Sequence, residues 1–259
     1  ILALNACYHV CLQKEDTRKD YRKEISKHLQ KMWPNVNDDF IRDEIDLFYE
    51  IFLDEIHLPD AIARNQALKE NIFMMLICVE LKIPLFIIGK PGSSKSLAKT
   101  LISLKMQGSD RMASPVLANF KEAQLITFQC SPMSTSEMIL KTFRYCAKYQ
   151  LERENDLDRY TSVVVLDEVG LAEASASMPL KTLHPLLEDG VHFEIEEEKK
   201  LLAEKEKRKG KKQINAPLAN EDWHRVGFIG ISNWVLDPAK MNRGRKKSLF
   251  LFYLAYFLK

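Results

Sequence analysis

Ile83-Pro84-Leu85-Phe86-Ile87-Ile88-Gly89-Lys90-Pro91-Gly92-Ser93-Ser94-Lys95-Ser96 is the stretch on which the reading of this chain turns. Pro84 to Ile88 is apolar without alternation, the pattern of a parallel strand covered on both faces. Gly89 to Ser96 follows at once and opens a helix expected over Lys95 to Met106. A triphosphate needs closely spaced backbone N–H donors, a cation and a metal-binding hydroxyl, and the loop supplies all three in order. Gly89 and Gly92 let Gly89-Lys90-Pro91-Gly92-Ser93-Ser94 curl so that its amides face phosphate at a helix N-terminus. Lys95 is placed for the β- and γ-phosphates, and the Ser96 hydroxyl for Mg²⁺. Ser94 departs from the G-x-x-x-x-G-K-[ST] pattern, standing where the second glycine is expected and adding a Cβ near the phosphates. The bland alternative, an ordinary Gly/Pro/Ser turn, is weakened by the strand–loop–helix context.

Outward from this loop, three further strands are expected at Gln124 to Gln129, Ser162 to Leu166 and Val226 to Ser232. Helical stretches at Ser134 to Tyr149 and Pro179 to Leu187 separate them. Alternation of strands and helices predicts an α/β fold: a parallel sheet flanked by helices. Val163-Val164-Val165-Leu166-Asp167-Glu168 brings two carboxylates to the C-terminal end of a buried strand, the edge where open α/β sheets bind ligands. Asp167 is expected to hold Mg²⁺, directly or through water, and Glu168 to polarise the attacking water. Gly227 to Ser232 is another buried strand, ending at Asn233, which is placed to orient water near the γ-phosphate.

The first 80 residues read as a helical leader, with Asn37 or Asp38 capping a helix through Phe40, Ile41, Ile45, Phe48 and Phe52. Residues 81–244 read as the α/β domain, carrying an acidic–basic insertion at 194–212 that holds little to bury. A net charge of +2, from 38 basic against 36 acidic residues, gives no global field for nucleic acid or an acidic membrane. Five cysteines at irregular spacing form no disulfide framework and point to a reducing compartment; zinc is not expected. The opening Ile1-Leu2-Ala3-Leu4 has no signal-peptide architecture and reads like the middle of a helix in a longer protein. Leu249 to Leu258, within an atypical tail at 245–259, is apolar but falls short of the roughly 20 residues a transmembrane helix needs, so no transmembrane segment is expected.

Phosphate loop, Asp-Glu strand end and Asn strand end, in this order, make up the AAA+ signature of Walker A, Walker B and sensor 1. Further runs resemble the mysterin family: Phe128-Gln129-Cys130-Ser131-Pro132, Asp167 to Glu173, Met178 to Gly190, and Ile231-Ser232-Asn233-Trp234 with Leu236 to Gly244. Mysterin is a giant RING-type ubiquitin ligase built around a dynein-like row of AAA+ modules, and the similarity covers most of residues 1–244. After Gly244 the sequence no longer resembles the family, and the fifth strand and helical lid of an AAA+ module are not seen. Similarity implies neighbouring AAA+ modules and ubiquitin machinery as partners, a cytoplasmic setting and association with lipid droplets. Arg243 stands about where such proteins carry an arginine finger, although a surface role is the plainer reading.

The expected activity is Mg²⁺-dependent hydrolysis of ATP, with Lys95 and Ser96 neutralising phosphate, Asp167 supporting the metal, Glu168 activating water and Asn233 positioning it. The rivals are an ATP-binding scaffold that does not hydrolyse, a P-loop kinase and a nucleic-acid motor. Glu168 argues against the first, the Asn233 strand and the lack of an Arg-rich lid against the second, and the near-neutral charge against the third.

Overall fold

The computed structural model describes residues 1–12, 14–59, 61–193, 221–234 and 236. The chain divides into two units, one reaching Met74 and the other starting at Met75, the division falling within helix α4, Gln66–Glu80.

The first unit is helical, with α1 at Leu2–Cys7, α2 at Glu15–Leu29 and α3 at Asp38–Ile56. Asn37 caps α3 as expected: its Oδ1 accepts from the Phe40 N–H at 2.7 Å, and Asp38 and Asp39 complement the helix dipole in the first turn. Ile41, Ile45, Tyr49, Phe52, Leu53 and Ile56 recur at helical spacing and are buried. Leu68, Ile72 and Phe73 from the first half of α4 are buried too, and the Tyr49 and Phe73 rings meet edge-on at 5.3 Å.

A polar thread runs through this unit. Asn5 Nδ2 donates to Tyr49 Oη at 2.9 Å, and the His9 ring lies between Asn5 Oδ1 and Arg22, 3.0 Å from each. Arg22 also donates to Asp38 and Glu15, each at 2.9 Å.

The second unit is built on a parallel sheet of β1 (Leu85–Ile88), β2 (Glu122–Gln129), β3 (Tyr160–Asp167) and β4 (Gly227–Ser232), in the spatial order β1-β4-β3-β2. All eight residues of β3 and all six of β4 are buried, which is why their sequences show no alternation. Gly230 faces Phe86 so closely that a Cβ there would lie 2.6 Å from the ring, so β4 crosses this point without a side chain.

The described helices of this unit are the second half of α4, α5 (Lys95–Lys105), α6 (Gly108–Ala113), α7 (Ser136–Glu152), α8 (Val169–Glu173) and α9 (Leu183–Glu188). Thr135 caps α7, which buries Ile139, Phe143, Cys146, Ala147 and Leu151 in one cluster with Val164, Leu166 and Phe228. Phe143 stacks on Phe228 with ring centres 6.0 Å apart. One polar side chain enters this layer satisfied. Gln150 Nε2 donates to the Trp223 and Arg225 carbonyls at 2.8 and 2.9 Å, and its Oε1 accepts from the Ser162 N–H at 3.1 Å.

The helix expected over Pro179 to Leu187 is a 3-10 turn at Pro179–Thr182 followed by α9. Helices α6 and α8 were not anticipated by the sequence pattern. The charged insertion at 194–212, Arg243 and the tail at 245–259 lie outside the described residues.

Candidate functional site

The strand order sets β4 between β1 and β3, and the register aligns their C-terminal ends. Ile88 sits opposite Ser232, and Leu166 opposite Gly230. The chain leaves this edge from three adjacent strands, at Gly89, Glu168 and Asn233, so motifs far apart in sequence converge on one rim.

The loop after β1 starts as an extension of the ladder, Gly89 N–H donating to the Ser232 carbonyl at 3.2 Å. It then turns through two left-handed residues, Gly92 at φ +83° and Ser94 at φ 58°, ψ 17°. A glycine takes that conformation freely; a serine does so against the clash of its Cβ. Lys95 opens α5 and is only 6% exposed. Its ammonium donates to the Gly89 carbonyl at 2.6 Å, the Lys90 carbonyl at 3.0 Å and Ser93 Oγ at 3.1 Å. Burial lowers the pKa of this ammonium, while the nearby charges of Glu168 and Asp167 pull it back up. Pro91 and Ser96 are exposed, Ser96 on the first turn of α5.

Asp167 ends β3 and is 8% exposed. Its Oδ1 accepts from the Glu168 N–H at 3.1 Å and its Oδ2 from Lys99 Nζ at 2.6 Å. The Asp167 carbonyl accepts from Cys130 N–H at 2.8 Å. Burial, reinforced by the Asp167 charge, pushes the Cys130 thiol up to about 12, so it stays protonated and is no nucleophile.

Glu168 adopts φ 55°, ψ 45°, a left-handed turn from β3 directly into α8. Its Oε1 accepts from Asn233 Nδ2 at 2.6 Å. Its Oε2 is buried with no protein partner, so one carboxylate oxygen remains to accept a proton from a further group. Two residues on, Gly170 lies against the Trp234 indole: a Cβ at 170 would stand 2.0 Å from Nε1. The β3–α8 turn and the end of β4 are thus joined by one hydrogen bond and one close contact.

Of the residues marked in the sequence, Asp167, Glu168 and Asn233 meet at this rim, with Lys95 close enough to feel both carboxylates. Lys99 was missed. The available signal was its position four residues after Lys95, which puts both ammonium stems on one face of α5.

Oxygen donors from Asp167 and Ser96 suit a hard cation such as Mg²⁺, and the unpartnered Glu168 oxygen suits a water beside it. Among the described residues, no three His, Cys, Asp or Glu side chains converge on a point.

A parallel sheet ordered β1-β4-β3-β2, with a glycine-bearing loop, an Asp-Glu pair and an Asn on its C-terminal rim, defines an α/β module of the AAA class. The model of the RNF213 AAA domain matches residues 61–247, and the chain belongs to that family, the mysterin resemblance read from its motifs. It is 50% identical over 244 residues to a human protein named E3 ubiquitin-protein ligase RNF213, and 48% identical to a mouse protein of the same name. A zebrafish protein named E3 ubiquitin-protein ligase rnf213-beta is 45% identical over 246 residues. Each alignment covers 94% of this chain but 4% of the relative, so the chain spans a small part of the length of the proteins it matches. No described helix is long and apolar enough to cross a membrane.

Proposed function

We propose that this chain binds ATP with Mg²⁺ and hydrolyses it, as one AAA+ module of a ubiquitin ligase. The observation that carries the reading is Glu168: one oxygen is fixed by Asn233 and the other is buried without a partner, at the rim shared with Lys95 and Asp167. A carboxylate held this way is suited to orient a water and take its proton.

In this reading the loop between Lys90 and Ser94 turns its backbone N–H groups to the phosphates, without Pro91, which has none, and without Gly89, whose N–H stays on the Ser232 carbonyl. Lys95 exchanges its contacts with the Gly89 and Lys90 carbonyls for phosphate oxygens. Ser96 and Asp167 would hold Mg²⁺, which when bound would neutralise charge on the phosphate oxygens. Glu168 polarises the attacking water and Asn233 keeps the carboxylate aimed. Because the relatives are named as E3 ubiquitin-protein ligases, the module is proposed to act mechanically or as a regulator within such a machine, in the cytoplasm and beside other AAA+ modules.

The test is equilibrium binding of Mg-ATP and release of phosphate, measured beside Lys95→Ala and Glu168→Gln. Wild type is expected to bind and turn over, Lys95→Ala to lose binding, and Glu168→Gln to bind and retain ATP without releasing phosphate. Binding without turnover in wild type replaces this reading with a non-hydrolysing scaffold. No binding by a folded chain overturns both.

A further inference from the structure

Lys99 belongs to no part of the phosphate loop, yet its ammonium sits 2.6 Å from Asp167 Oδ2, and the two side chains are 17% and 11% exposed. The other Asp167 oxygen is held by the Glu168 N–H, so the carboxylate is fixed from both sides. Lys95 makes no hydrogen bond to this carboxylate in the structure; its ammonium donates to the Gly89 and Lys90 carbonyls and to Ser93 Oγ. The two lysines on one face of α5 therefore divide the rim: Lys95 serves the loop and Lys99 serves the strand-end carboxylate.

We infer that Lys99 is a positioning residue that neutralises Asp167 and thereby weakens the site for a divalent cation arriving alone, so that cation and nucleotide bind as a pair. This rests on the ATP reading above. A cation at Asp167 would lie about 5 Å from the Lys99 ammonium, where repulsion between a double and a single charge is worth roughly tenfold in affinity even at the dielectric constant of water. Nucleotide phosphates bring the negative charge that offsets the repulsion. Free cation lacks that charge and is disfavoured.

Mn²⁺ serves as the probe, with its binding to the nucleotide-free chain followed by electron paramagnetic resonance. Lys99→Met keeps the apolar stem and removes the charge. It is expected to bind Mn²⁺ about tenfold more tightly than wild type, a gain that shrinks when ADP is present. Lys99→Arg is expected to remain as weak as wild type, and Lys99→Met combined with Asp167→Asn to lose the gain. If Lys99→Met does not fold, Lys99→Gln, which can still donate to Oδ2, is expected to show the same gain.

Unchanged Mn²⁺ affinity in the neutral variants, with only a lower melting temperature, makes the pair a structural ion pair and overturns the inference. A gain that survives Asp167→Asn overturns it too. Absence of Mg-ATP binding by wild type overturns the ATP reading instead, and the Mn²⁺ titration still reports on Lys99 by itself.

Discussion

Replacing Ser94 by glycine isolates the cost of a departure visible in the sequence. Ser94 holds φ 58° and ψ 17° immediately before α5. The left-handed region costs an L-residue about 1–2 kcal/mol through its Cβ. Glycine escapes that cost but gives up about 0.5–1 kcal/mol of unfolded-chain entropy. The net expectation is a gain of about 0.5–1 kcal/mol, or a rise of about 1–4 °C in the melting temperature of a unit this size. Ser94→Ala is the control, since it keeps the Cβ and removes only the hydroxyl with its interactions; it is expected to show no gain. Thermal unfolding followed by circular dichroism separates the variants, and titration with Mg-ADP reads the second consequence, tighter binding where the loop relaxes and a Cβ is withdrawn. A melting temperature for Ser94→Gly at or below that of Ser94→Ala refutes the argument, because the backbone at 94 would then carry no strain that glycine can release.

Gly170→Ala drives a methyl into the Trp234 indole, which must swing away; a loss of about 1–3 kcal/mol is expected, with a shifted tryptophan emission spectrum and slower phosphate release while nucleotide still binds. Gln150→Leu leaves the Trp223 and Arg225 carbonyls and the Ser162 N–H without their shared partner, and denaturant unfolding is expected to register about 3 kcal/mol or more. His9 is neutral in the fold. Arg22 can only donate, so His9 Nε2 accepts from it and Nδ1–H donates to Asn5. Burial, aided by the charges of Arg18 and Arg22 and opposed by Glu70 and Glu15, lowers its pKa to about 4. The unfolded chain takes up this proton as pH falls through about 6.5 and the folded chain only near 4, so the stabilisation is complete above the upper value and is lost on acidification. Denaturant unfolding of the first unit is expected to weaken by about 2 kcal/mol from near pH 7 to near pH 5, and His9→Gln to flatten that slope.

β3 and β4 were legible because every residue in them is buried, so each reads as an apolar run, and β1 is a short apolar run too; β2 instead alternates buried with half-buried or exposed positions. The strand ends were less legible. β2 starts at Glu122 and not at Gln124, because its first residues pair with Tyr160 and Thr161, contacts with no local sequence mark. Placement of β4 between β1 and β3 is likewise a matter of long-range pairing. Helices α6 and α8 span six and five residues, too few for a 3.6-residue period to emerge. At Pro179 the ring fixes φ and removes a donor, and the chain there takes a 3-10 turn before the α-helix begins.

At the candidate site, residue types and their order were readable, whereas the partner of each side chain was not. Asn233 was expected to face a water; in the fold its amide holds Glu168, an arrangement that needs both strand ends on one rim. The two non-glycine left-handed residues of this rim differ in what they allow. At 94 nothing in the proposed chemistry requires a side chain, so glycine removes the strain and keeps the loop. At 168 the same substitution removes the carboxylate, so the strain of that turn is tied to the group it presents. Tolerance of glycine at 94 together with loss of phosphate release at 168 is therefore the pattern that separates backbone geometry from chemistry at this rim. Equal loss at both positions would mean that Ser94, too, presents a group the reaction uses.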